Sequence, residues 1–152
     1  MEHRGRTALV SGATGGLGVA ESKALAAAGA DVLMLDIKGA EVPDGLRPSL
    51  PAEAGSLRFV ECDLAAPRAA QALVRKLDEE VGGIDILINN AAINPLKPID
   101  GYDLDEWHKV QDVNATGTLL FLREASRWMR EQRLGGRIVV NASKNVPSPG
   151  AE

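Results

Sequence analysis

One cysteine, two histidines and 3% aromatic residues leave this 152-residue chain without several common building devices. Cys62 has no partner for an internal disulfide, and its place in an apolar run predicts a buried structural thiol without a function. His3 and His108 lie far apart and no second cysteine joins them, so the ligand spacing of a structural metal is missing and metal catalysis is set aside. With so few aromatics the core must be aliphatic. Seventeen basic against twenty-one acidic residues give a net charge of −4, and no basic stripe could neutralise a run of phosphates, which makes nucleic acid a poor partner. No stretch approaches the ~20 apolar residues that cross a bilayer, and Met1 to Arg6 runs straight into an apolar segment. A cytoplasmic protein with no membrane attachment is therefore expected. What is present is ordinary: 45% hydrophobic and 25% charged residues, enough for one domain spanning 1–152.

Apolar periodicity supplies the architecture. Arg6–Ser11, Asp31–Asp36, Leu57–Cys62, Ile84–Asn89 and Arg137–Ala142 are short apolar runs, the pattern of strands in a parallel sheet covered on both faces. Between them, Leu17, Ala20, Ala24, Leu25 and Ala28 recur at helical spacing, as do Ala70, Leu73, Leu77 and Val81. A longer helix is expected from Leu104 through Arg130. The crossover from the second to the third strand breaks the alternation, because Pro43, Pro48 and Pro51 with Gly45 and Gly55 forbid a long helix. Val146 to Gly150 reads as loop, and no repeat or linker divides the chain. The prediction is a doubly wound α/β fold of about five parallel strands with helices on both faces.

The first strand runs into Ser11-Gly12-Ala13-Thr14-Gly15-Gly16-Leu17-Gly18, where Gly12, Gly16 and Gly18 stand where side chains would block a pyrophosphate or the strand. Gly15 is an additional permissive residue. The helix that follows offers unpaired N–H groups to a phosphate, and its dipole adds about 0.3–1 kcal/mol when exposed. Asp36 closes the second strand at the distance in sequence where an acid meets the ribose of a dinucleotide and accepts from both hydroxyls. Its charge repels a 2′-phosphate and only Lys38 is a nearby cation, so NAD is favoured over NADP.

Several separated motifs together resemble the short-chain dehydrogenase/reductase family of the non-extended type, along essentially the whole chain. That resemblance implies a Rossmann fold and an NAD(P)-dependent oxidoreductase acting on a small-molecule alcohol or carbonyl. Cys62-Asp63-Leu64 resembles the family's acidic pair beside the adenine, which implies that Asp63 binds the adenine amino group and Leu64 lines it. Asn89-Asn90-Ala91-Ala92 resembles the family's Asn-Asn-Ala-Gly turn, with Ala92 in place of glycine. There Asn89 is expected to tie neighbouring strands, while Asn90, Ala91 and Ala92 line the cofactor together with Thr14, Gly15, Gly16 and Leu17 of the first turn. Asp112 to Gly117 resembles the mid-helix motif in which the helix opens and the carbonyl of Asn114 holds a water for proton relay. Ser143, after the fifth strand, is similar to the serine that polarises the substrate carbonyl.

The family's proton donor is a tyrosine whose pKa is lowered by a lysine one helical turn later, and that Tyr-x-x-x-Lys motif does not occur in this sequence. Tyr102 precedes the long helix and has Glu106 four residues on, and Lys144 adjoins Ser143. The expectation is thus a cofactor-binding half of such an enzyme, truncated before the tyrosine and inactive alone. Its fifth strand would be an exposed edge, and Leu119, Leu122 and Met129 would be partly uncovered, inviting self-association or a homo-oligomer. The alternative is a non-catalytic NAD-binding module that acts through a protein partner.

Overall fold

The structure is a computed structural model that describes residues 2–131 and 135–142. Five parallel strands, β1 (Thr7–Ser11), β2 (Asp31–Asp36), β3 (Leu57–Glu61), β4 (Ile86–Asn89) and β5 (Arg137–Val140), form one sheet in the order β3-β2-β1-β4-β5. Helix α1 (Gly16–Ala27) links β1 to β2, and α2 (Pro67–Val81) links β3 to β4. The crossover to β5 carries α3 (Leu104–Gln111) and α4 (Thr118–Glu131). The strand order reverses between β1 and β4, and the crevice outside the carboxyl ends of strands at such a point is where ligands bind in this class of sheet.

The central strands are apolar between their polar end residues because both their faces are covered. On one face Ala8, Val10, Val32, Met34, Ile86 and Ile88 pack with Ala26 of α1. On the other, Leu9, Leu33, Leu35 and Leu87 meet Val74 and Leu77 of α2 and Phe121 and Ala125 of α4. Leu9, Met34 and Leu87 are fully buried, each worth roughly 1.5–3 kcal/mol of transfer free energy. At the edges, β3 departs from the expected buried run, whereas β5 is the exposed edge expected. In β3, Arg58 and Phe59 are exposed, and all four residues of β5 are exposed, with Val139 and Val140 near 45%. An edge strand has a neighbour on one side only, so its outer residues lose the flanking cover that the central three have.

Residues 37–56 form turns rather than a helix, as the prolines dictate, yet they pack: Leu46 is buried and Val42 and Leu50 lean on the α1 face. The single long helix expected from Leu104 to Arg130 is instead interrupted by a π-helical turn over Asp112–Gly117. Periodicity could not reveal this, since one inserted residue leaves the apolar positions on both sides intact. Met129, expected to be uncovered, is buried, and its Sδ would lie 2.2 Å from a Cβ at Gly136. The absent side chain of Gly136 lets the end of α4 close over the approach to β5. Leu119 remains 62% exposed, and Leu122 is only partly buried.

α2 and α4 are joined by a charge cluster. Glu124, 1% exposed, accepts from Arg75 Nε at 2.8 Å and Nη2 at 3.1 Å, and also from Gln71, with Arg127 at 3.2 Å. The hydrogen bonds from Arg75 hold the Glu124 carboxyl below its ordinary range, against the opposing effect of burial. A buried carboxylate of this kind is tolerated only when so fully paired.

Candidate functional site

A cleft of about 930 Å³ opens at the carboxyl ends of β1 to β4, within the size range of small-molecule and cofactor sites. Its floor is the glycine turn. Gly12 has φ +63°, and a Cβ there would stand 2.9 Å from Ala91 Cα, so both conformation and the close approach of the β4 turn require glycine. Gly18 is fixed by packing, since a Cβ would meet the Gly12 carbonyl oxygen at 2.2 Å. Gly16 differs from both: it has no left-handed φ and, among the described residues, nothing stands within 4 Å of its Cβ position. The folded chain therefore gives no reason for glycine at 16, whereas a group lying in the cleft against the helix end would. The start of α1 carries neither a side-chain cap nor an acidic residue in its first turn, which leaves its first amides and positive dipole end for a ligand.

Asp36 reaches this turn directly. Its Oδ2 accepts from Thr14 N at 2.9 Å and from Thr14 Oγ1 at 2.6 Å, and its Oδ1 accepts from Ile37 N at 2.9 Å. A carboxylate has about four acceptor positions, so the three taken here leave one open. Accepting from both ribose hydroxyls, as expected, requires the Thr14 hydroxyl to turn away. Lys38 is exposed and lines the same end of the cleft. Asp63 is also at the cleft wall, with Oδ1 accepting from Ala65 N at 2.8 Å in a turn that leads into α2. Leu64 is buried beside it and closes against the π turn, where a Cβ on Gly117 would lie 3.5 Å from the Leu64 Cβ.

The β4 turn corrects one expectation. Asn89 does not tie neighbouring strands: its Nδ2 donates to Thr118 Oγ1 at 3.0 Å, fastening β4 to α4. Asn90 makes the strand tie. Its Nδ2 donates to the Gly12 carbonyl at 3.1 Å, and its Oδ1 accepts from Asn141 Nδ2 at 3.0 Å. The alternation of a strand explains the exchange, because Asn89 points to the α4 face while the next residue turns along the strand ends. Ala91 and Ala92 line the cleft. Ser11, unassigned by motif reading, is 1% exposed and its Oγ accepts from the amides of Asn90 and Ala91, both at 3.1 Å. Its position immediately before Gly12 was the available signal.

Asn114 lies in the π turn, as the opened-helix expectation requires. Its side chain reads both backbone groups of Ile93, accepting from the amide at 2.9 Å and donating to the carbonyl at 2.8 Å. Val113 and Phe121 present apolar surface to the cleft. So does Cys62, whose thiol is pushed up to about 11 by burial first, then by the charges of Asp63 and Asp36. Ser143 lies outside the described residues. Tyr102 stands away from the cleft, with Lys97 Nζ 5.5 Å from its ring centroid, and Lys97 pairs with Glu106.

The family model for short chain dehydrogenase matches residues 6–152. The chain belongs to the short-chain dehydrogenase/reductase family. The chain is 35% identical over 144 residues to galactitol 2-dehydrogenase of Agrobacterium fabrum, covering 95% of itself and 55% of that protein. It is 34% identical to D-threitol dehydrogenase of Mycolicibacterium smegmatis, covering 93% of itself and 54% of the relative. Among solved structures, a short chain dehydrogenase from Burkholderia cenocepacia in complex with NADP superposes with a TM-score of 0.86 at 32% identity, over 99% of this chain and 60% of that one. NAD+-bound xylitol dehydrogenase gives 0.84 at 30% identity, over 99% and 57%. The chain thus spans about half the length of the curated relatives it matches. Among the described residues no helix is long and apolar enough to cross a membrane.

Proposed function

We infer that the chain is the NAD-binding half of an enzyme that oxidises a small-molecule alcohol or reduces the corresponding carbonyl, with the cofactor in the cleft at its strand ends. The observation that carries the reading is Gly16, a glycine without a reason in the folded chain, beside an uncapped helix end and an acid at the next strand end. The bare amides at Gly16, Leu17 and Gly18 would hold the pyrophosphate, and Asp36 the adenosine ribose. Asp63 would take the adenine amino group, with Leu64 and Val113 as apolar walls. Asn90, Ala91 and Ala92 would border the remaining length of the cofactor.

A bound nicotinamide supplies the hydride acceptor or donor. The residues of the chain orient and move protons around it. Asn114 spends its side chain on Ile93, which fixes the opened turn and supports a role for its carbonyl in holding a relay water. Ser143 would polarise the substrate carbonyl from beyond β5. NAD is preferred to NADP because a 2′-phosphate would meet the Asp36 carboxylate, with exposed Lys38 the nearby cation of the cleft. We place the protein in the cytoplasm, as a cofactor-dependent enzyme acting on a small molecule.

Calorimetric titration of the chain and of Asp36→Ala with NADH and NADPH tests the reading. Saturable NADH uptake by the wild type is expected, with weaker NADH binding and a smaller preference over NADPH in the variant. An unchanged ratio of the two affinities removes Asp36 from the site, and no uptake of either nucleotide by folded protein refutes the cofactor assignment.

A further inference from the structure

Glu21 sits half-buried in the second turn of α1, outside every motif of the cofactor site. Its Oε1 accepts from Asn141 Nδ2 at 2.6 Å, and its Oε2 is buried with no partner among the described residues. The same Asn141 nitrogen donates to Asn90 Oδ1 at 3.0 Å, and Asn90 Nδ2 donates onward to the Gly12 carbonyl at 3.1 Å. The Gly12 carbonyl also accepts from Gly15 N at 3.3 Å, the bond that closes the glycine turn. A continuous polar row therefore runs from α1, across the ends of β5 and β4, to the turn that follows β1.

The chemistry gives that row one direction. A carboxylate oxygen only accepts, so Asn141 must turn its nitrogen, not its oxygen, towards Glu21. The second hydrogen of that nitrogen then calls for the oxygen of Asn90, which leaves the Asn90 nitrogen for Gly12, again an acceptor without a proton. With a neutral apolar side chain at 21, Asn141 loses its charged anchor and its amide can turn over, presenting an oxygen to the oxygen of Asn90.

We propose that Glu21 is a positioning residue: acting through Asn141 and Asn90, it sets the Gly12 turn and the carboxyl end of β5 for the pyrophosphate and nicotinamide end of the cofactor. The row does not reach Asp36 or Asp63, which serve the adenosine end. The inference rests on the cofactor reading given above, and it separates the two ends of the ligand. It also places a charged group of α1 under the strand that leads to Ser143.

The test measures the affinities of the full chain for NADH and for adenosine, which lacks the phosphates and carries only the adenosine end. In Glu21→Ala, NADH affinity is expected to fall about five- to tenfold, less than the roughly ten- to hundredfold for losing a direct hydrogen bond to a charged group because Glu21 acts through two amides, while adenosine affinity stays within about twofold. Glu21→Gln keeps an acceptor for Asn141 and should recover most of the loss. Asn141→Ala should weaken NADH to a similar degree, and Glu21→Ala added to it should cost little more, because both act through one row. Unchanged NADH affinity in Glu21→Ala overturns the inference, as does an equal loss of NADH and adenosine, which would mark a general structural role. Failure of Glu21→Gln to recover overturns it too. A wild-type chain that binds neither nucleotide overturns the cofactor reading and this inference with it.

Discussion

Exchanging one glycine at a time in the turn after β1 separates what the fold needs from what a ligand needs. Gly18→Ala places a Cβ 2.2 Å from the Gly12 carbonyl oxygen and 2.7 Å from Ala13 Cα, both backbone atoms that no rotamer change can move. Relief requires about 1 Å of backbone displacement, and overpacking of this kind costs typically ~1–3 kcal/mol, with backbone contacts at the upper end. At roughly 2–4 °C per kcal/mol for a domain of this size, the melting temperature should fall by about 6–12 °C. Gly16→Ala meets nothing within 4 Å and keeps an ordinary helical conformation. It should leave stability unchanged or raise it by about 0.4–1 kcal/mol through the loss of unfolded-state freedom. That corresponds to a rise of about 1–4 °C. Yet the methyl fills the space where phosphate oxygens would meet bare amides, and losing one charge-assisted hydrogen bond, ~1.5–3 kcal/mol, weakens NADH about tenfold to a hundredfold. Thermal melting and calorimetric NADH titration of both variants decide the matter. Wild-type NADH affinity in a stable Gly16→Ala would refute the ligand argument, and a Gly18→Ala as stable as the wild type would refute the packing argument.

Two further predictions concern titration. The Cys62 thiol is held neutral up to about 11 against an ordinary 9.0, so the folded state keeps a proton that the unfolded chain releases. Stability contributed by this group should be intact below pH 9 and decline by roughly 3 kcal/mol at most between pH 9 and 11. Comparing denaturant midpoints of the wild type and Cys62→Ala across that interval isolates the effect, and identical pH slopes would contradict it. For Glu124 the sign is opposite: its folded pKa lies below the ordinary 4.5, so its contribution is present above that value and is lost as pH falls through the folded pKa. Glu124→Gln should be less stable than the wild type at pH 7, and the gap in urea midpoint should close in acid. A gap that persists at pH 2 would mean the charge on Glu124 is not what joins α2 to α4.

Much of this molecule was legible in its sequence because its signals are local. Strand runs, helix spacing and the proline-broken crossover depend on neighbours within a few residues, and each appears where the pattern put it. The glycine turn and Asp36 were equally readable, since a strand, a tight turn and a helix follow one another directly in the chain. That Asn90 rather than Asn89 makes the strand tie was not readable, because which face an amide takes depends on where α4 and β5 come to lie.

By itself the sequence determined that apolar strands alternate with helices and that a glycine-rich turn follows the first strand. Only the tertiary structure decided who speaks to whom across the strand ends: Thr14 occupying most of Asp36, Ser11 accepting two amides from the β4 turn, and Glu21 anchoring Asn141 from 120 residues away. The physical reason is that periodicity and propensity act along the chain, whereas hydrogen-bond direction is settled between groups that meet only after the sheet has assembled.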